Sequence, residues 1–178
     1  MPNCLSSHLT QDPLSKSMPG FLANLSKSYR EQLLRYRNRG FLRAAMAACA
    51  TVAMVDGIVS LRQRMRVDQV METLDALKVF DPHEGVNLFN EFVDAMRTDP
   101  QAGHDDAVAV IVEEVDEEPD KAELLIRICL AVSEREGVIP VTEQIEIVAL
   151  CSRLGLKPRD CGLDAEGGET ADAARSER

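Results

Sequence analysis

The side chains able to do chemistry in this chain are chiefly carboxylates and arginines, and their spacing decides what chemistry that is. Asp56, Glu136 and Glu143 stand beside two glycines, Gly57 and Gly137, in two places with the same local pattern. Carboxylates converging on such junctions can hold a hard cation, calcium or magnesium, which takes several oxygen ligands. The spacing is not that of an EF-hand loop, whose acids alternate ahead of its glycine, and the plainer alternative is helix punctuation with solvated charge. A second group runs from Asp105 to Asp120. Asp105, Asp106, Glu113, Glu114, Asp116, Glu117, Glu118 and Asp120 occur there without a Lys or Arg. Such a run produces a local negative potential. It suits a basic partner surface, with Glu113, Glu114, Asp116, Glu117 and Glu118 as the docking candidates, or serves simply as a solubility face. A third group is basic. Lys27, Arg30, Arg35, Arg37, Arg39 and Arg43 crowd a segment whose acid is Glu31, with Phe21, Leu22, Leu25 and Leu33 on another side. This pattern resembles an interfacial helix. Arg35, Arg37 and Arg39 can meet an acidic partner or anionic lipid, or pair with the chain's own acids while the apolar side packs on the fold.

Nucleophilic and metal-assisted chemistry has weaker support. The five cysteines, Cys4, Cys49, Cys129, Cys151 and Cys161, are odd in number and include no Cys-x-x-Cys pair. Neither a disulfide framework nor a zinc site is indicated, and a reducing, cytoplasmic compartment follows. Cys49, Cys129 and Cys151 fall on apolar stripes and are expected in the core, with Cys161 more exposed near the end of the fold. His8, His83 and His104 are scattered, and no Gly-rich phosphate loop, nucleophile elbow or paired histidine motif is present. A metal-dependent enzyme therefore ranks behind a binding module, and we expect no catalytic residue.

These groups must be positioned by helices. The 178 residues suffice for one domain, and 45% of them are hydrophobic, but aromatics are 4% and Trp is absent. Leu, Val, Ile, Ala and Met must fill the core, which suits closely spaced helices. A formal net charge of -10 argues against nucleic acid as a partner and for cations or basic protein surfaces. Residues 1–20 read as a flexible leader, 21–163 as the helical domain and 164–178 as a disordered acidic tail. No secretory leader and no apolar run long enough to span a membrane is present. Apolar spacing at three and four predicts seven helices. The first runs from Phe21 to Tyr36 and the second from Phe41 to Val55. The third follows Ser60 and carries Met65, Val70 and Met71. The fourth follows Asp81-Pro82 and breaks at Pro100–Gly103. The fifth runs from His104 to Glu117, the sixth from Pro119 to Arg135, and the seventh from Pro140 to Gly155. No segment alternates long enough for a strand, so the fold class is all-α, a compact helical bundle.

A shift of 80 residues superimposes the second and third helices on the sixth and seventh. Leu42 meets Ala122, Cys49 meets Cys129, Val52 meets Val132, Met65 meets Ile145 and Val70 meets Leu150. Asp56-Gly57-Ile58-Val59 meets Glu136-Gly137-Val138-Ile139. The chain thus contains two pseudo-repeated helical hairpins, and the apolar pair after each glycine is expected to pin the connection to the core.

Together these segments resemble the TerB (tellurite-resistance) family. The resemblance lies in Arg35-Tyr-Arg-Asn-Arg-Gly-Phe41, Ala53-Met-Val-Asp-Gly57, Leu77-Lys-Val-Phe-Asp81 and Ala131-Val-Ser-Glu-Arg-Glu-Gly137. The closing Leu154-Gly-Leu156 and Cys161-Gly-Leu163 complete it. It covers about residues 25–163. It implies an all-helical fold with paired hairpins and a cytoplasmic role in tellurite resistance and related stress, beside membrane-embedded and calcium-binding partners. Location at the inner face of the membrane, with the basic first helix as a peripheral adaptor, is the alternative. The family's turns often continue into further acids. Here Leu61, Arg62 and Gln63 follow the first turn, whereas Glu143 keeps an acid after the second.

Overall fold

The computed structural model of the chain describes residues 36–74, 77–116 and 118–163. Among them run α1 (Arg39–Ala53), α2 (Leu61–Thr73), α3 (Pro82–Thr98), α4 (Pro100–Val115), α5 (Pro119–Ser133) and α6 (Val141–Arg153), then a 3₁₀ turn at Pro158–Cys161. These match six of the seven expected helices. The other, expected from Phe21 to Tyr36, lies outside the described residues except for Tyr36, which stands in a turn, and the leader and the tail lie outside them too.

Helices begin where a short polar side chain accepts an orphan backbone N–H. Asn38 Oδ1 accepts from Phe41 N at 2.7 Å, Asp81 Oδ1 from His83 N at 2.9 Å and Asp99 Oδ1 from Ala102 N at 3.1 Å. At α2 the Ser60 hydroxyl accepts from Gln63 N at 3.2 Å, and Gln63 Oε1 accepts from Ser60 N at 2.8 Å, a reciprocal capping box. Ser60→Ala is expected to cost about 1 kcal/mol, read as a lower urea midpoint at unchanged slope.

One helix limit differs from expectation by about a turn. The α3–α4 break is a single residue: Asp99 ends α3 and caps α4, which starts at Pro100, not at His104. Gly103 therefore sits inside α4. A Cβ there would lie 2.5 Å from Met96 N and 2.6 Å from Ala95 C, so the glycine marks where two helix backbones press together, not a helix end.

α1 is the central helix, in contact with α3, α4, α5 and α6. Ala44, Ala45, Ala47, Ala48, Cys49 and Ala50 are all buried on it, and their small side chains admit neighbours on every side. α5 fills the same place in the second repeat. The repeat helices correspond end for end at the 80-residue offset, α1 with α5 and α2 with α6. α2 packs on α5, and α6 touches α1 as well as α5, so each hairpin leans on the other's first helix.

The buried stripe of α2 is Gln63, Val67, Val70 and Met71, and that of α6 is Glu143, Ile147, Leu150 and Cys151. Met65 and Ile145, expected on these stripes, are exposed, and polar residues take the inward place at the head of each helix. Similarly Ile58 and Val138 are both exposed, while Val59 is buried and Ile139 half-buried. Neighbouring residues in an extended link point opposite ways, so one of each pair can face the core. The turns themselves diverge. Arg135 and Val138 exchange two backbone hydrogen bonds, at 2.7 and 3.0 Å, around Glu136 (φ 56) and Gly137 (φ 85). Two left-handed residues at the centre make this a hairpin-type turn. The first turn instead closes with Gly57 N donating to Met54 O at 2.7 Å.

Candidate functional site

Where the two repeats meet, Glu143 points inward and is 1% exposed. Its Oε1 accepts from Arg135 Nη2 at 2.6 Å and from Gln63 Nε2 at 3.2 Å. Gln63 is the repeat counterpart of Glu143, so the pseudo-related residues bond each other across the junction. Gln63 Oε1 in turn accepts from the backbone N–H and hydroxyl of Ser60. The result is a polar clasp of Ser60, Gln63, Glu143 and Arg135 tying the two hairpins. Burial pushes the Glu143 pKa up; Ser133 and Arg135 pull against it, and the charge of Asp56 adds to the rise. The Ser133 hydroxyl and Glu143 Oε2 are buried without a completed hydrogen bond, although Ser133 is near enough to favour the ionised carboxyl.

The three carboxylates singled out as cation ligands occupy different settings. Glu143 is buried and engaged by Arg135, and Asp56 is exposed at the first turn, within electrostatic reach of Glu143. Glu136 is exposed, 3.9 Å from Arg62. Beside them a shallow hollow of about 300 Å³ is lined by Ser60, Arg62, Arg135 and Glu136. Among the described residues no three His, Cys, Asp or Glu side chains are grouped so as to hold a metal ion. A dication at Glu143 would have to displace a guanidinium, and this donor set does not fit one as it stands.

The acidic run divides in two. Glu113, Asp116, Glu118 and Asp120 are exposed at the end of α4 and the start of α5. Asp116 ends α4 in the left-handed region at φ 34, which Asp tolerates better than most residues. Glu114 is half-buried, its carboxylate lying over Gly40 in the first turn of α1, where the helix favours an anion. Lys121, almost buried, reaches Glu118 at 2.8 Å, Glu114 Oε1 at 3.4 Å and the Glu114 carbonyl at 2.9 Å, over the Tyr36 ring. Burial would lower the Lys121 pKa, but Glu118 and Glu114 outweigh it and the net shift is upward. Part of the run is thus neutralised from within. Glu117 and Arg35 lie outside the described residues. Arg37 is exposed, Arg39 pairs with Glu84 at 3.5 Å, and Arg43 covers the Phe92 ring at 5.1 Å.

Cys49 and Cys129 are buried side by side. Burial pushes the Cys49 thiol up to about 12; Cys129 rises through burial and through its nearness to Cys49. Cys161, expected to be more exposed, is also fully buried, because the 3₁₀ turn seats it against Cys151. No described thiol is presented to solvent.

Gln63, Arg135 and Lys121 are the members of these clusters that spacing did not reveal. The 80-residue offset does align Gln63 with Glu143, two polar residues heading apolar stripes, and that was a usable signal. For Lys121 the spacing offers only the local pairing with Glu118, three residues before it, since Glu114 and Tyr36 come from other segments.

Comparison with known proteins agrees with this architecture. The family model described as "Tellurite resistance protein TerB" matches residues 42–164. A curated relative from Alcaligenes sp., "Tellurium resistance protein TerB", is 27% identical over 109 residues, covering 61% of this chain and 88% of the relative. No solved structure matches.

Proposed function

The chain belongs to the TerB family of tellurite-resistance proteins, and from that premise we propose that it works without catalysis, as a cytoplasmic binding module that presents an acidic edge to a basic protein partner. One observation carries this reading. Glu113, Asp116 and Asp120 are exposed at one edge, and among the described residues none of them forms an ion pair. Glu114 and Glu118 beside them are tied to Lys121. Unpaired carboxylates on one edge steer a basic surface and help to fix its register. Among the described residues no helix is long and apolar enough to cross a membrane. Attachment to a membrane-embedded protein of the same resistance system is part of the proposal; a calcium or magnesium bridge would require that the partner bring oxygen ligands of its own beside its basic surface.

Capture of partners by the tagged protein from detergent-solubilised cells, with and without EDTA, tests this. The triple variant Glu113→Lys, Asp116→Lys, Asp120→Lys is expected to lose captured partner about tenfold or more, and wild-type capture should weaken as salt shortens the screening length. Loss with EDTA would assign the bridge to a divalent ion. Equal capture by variant and wild type, or capture of nothing above background, rejects the acidic edge as the contact.

A further inference from the structure

We propose that the cleft between the C-terminal end of α1, the α3–α4 corner and α6 binds a small organic anion, with a carboxylate or phosphate head on an apolar body. The cleft has a volume of about 630 Å³, within the range of sites for small molecules. It forms where the α3–α4 hairpin, which has no counterpart in the repeat, meets α6. Met54, Val55 and Met96 supply apolar walls, and Arg97, Arg153, Gln101 and His104 supply the polar groups.

Two guanidiniums in one cleft stand out on a chain of net charge -10. Arg153 forms no ion pair among the described residues. Arg97 is held by the exposed Asp94 at 3.3 Å, a surface pair of small net worth that a ligand can replace. The remaining acid on the wall, Glu146, is already engaged. Its Oε1 lies 2.7 Å from His104 Nε2, while Asp105 stands 3.8 Å from Nδ1 on the other side of the ring. Both members of the His104–Glu146 pair are half-buried, and their close pairing holds the imidazole as part of the wall. Planar guanidiniums match carboxylate and phosphate oxygens in pairs, and the methionine walls adapt to an irregular apolar body. The cleft is at the opposite end of α4 from the acidic edge and does not depend on that edge's role.

Titration of the ¹⁵N-labelled full chain with benzoate, phenyl phosphate, inorganic phosphate and the neutral benzamide tests the proposal. Saturable shifts are expected at Met96, Gln101 and His104 with benzoate or phenyl phosphate, and binding at least tenfold weaker with benzamide. The tighter of benzoate and phenyl phosphate names the head group. The double variant Arg97→Gln, Arg153→Gln, both at exposed positions, should keep a folded spectrum and weaken the favoured ligand about tenfold or more. The proposal falls if no probe gives saturable shifts at about 10 mM or if benzamide binds as well as the anions. It falls equally if inorganic phosphate binds as well as phenyl phosphate, or if the double variant binds unchanged.

Discussion

Gly103→Ala is expected to destabilise the bundle by about 3 kcal/mol. Helix propensity alone gives the opposite sign, since alanine inside a helix is favoured over glycine by about 1 kcal/mol. The structure reverses the sign because the new methyl group would press on Met96 N at 2.5 Å and Ala95 C at 2.6 Å, backbone atoms that cannot swing aside. α3 and α4 would have to separate along the face they share with α1. Two other glycines calibrate the result. At Gly85 the obstruction is the flexible Met71 side chain, and at Gly57 nothing lies within 4 Å but φ is +75. Each alanine there should cost less than at Gly103, with the Gly57 loss near 1 kcal/mol from backbone strain. Urea unfolding at unchanged slope measures all three. A Gly103→Ala protein as stable as wild type would contradict the close α3–α4 crossing.

Removal of the guanidinium that holds Glu143 ranks next. Arg135→Ala is expected to cost about 2–3 kcal/mol at neutral pH. That is below the full cost of breaking a buried pair, because the Arg135 side chain is 42% exposed and partly screened while that of Glu143 is 2% exposed. The loss should depend on pH with a defined sign. Burial already raises the Glu143 pKa, so the fold favours its protonated form. Its contribution to stability is present below the unfolded-state pKa and is lost as pH rises through the folded-state pKa. Without Arg135 the folded-state value climbs further. The stability gap between variant and wild type should then be widest near neutrality and close towards about pH 4, where the carboxyl is protonated. Adding Glu143→Gln to the Arg135→Ala background should remove most of that pH dependence. A gap of constant size from acid to neutral pH would mean that Arg135 acts by packing, not by charge.

Much of the architecture was legible in the residues. Most helix limits followed from apolar spacing and from Ser60 and Asp81, because a helix is built from contacts within four residues and its caps from contacts within three; the caps at Asn38 and Asp99 emerged only in the structure. The duplication was legible because both copies kept one pattern at one offset, and the family resemblance rested on the same segments. Exposure was legible for stripes but not for their ends. Met65 and Ile145 are apolar and face solvent, whereas Gln63 and Glu143 are polar and face inward. Hydropathy ranks side chains one at a time and cannot weigh a polar group against a partner 80 residues away.

The tertiary structure alone decided the rest, for the same reason. Glu143 became the held centre of a clasp once two hairpins crossed and set Gln63 and Arg135 on one oxygen. Lys121 paired two acids of the run, Glu114 and Glu118, because α4, α5 and Tyr36 converge on it. His104 met Glu146, 42 residues on, because the α3–α4 corner packs against α6. Which helices form, that they repeat and to which family they belong all reside in local spacing and so could be read from the residues. Which charges stay paired and which remain free to bind depends on distances of a few ångströms between segments remote in the chain, and packing alone sets those distances.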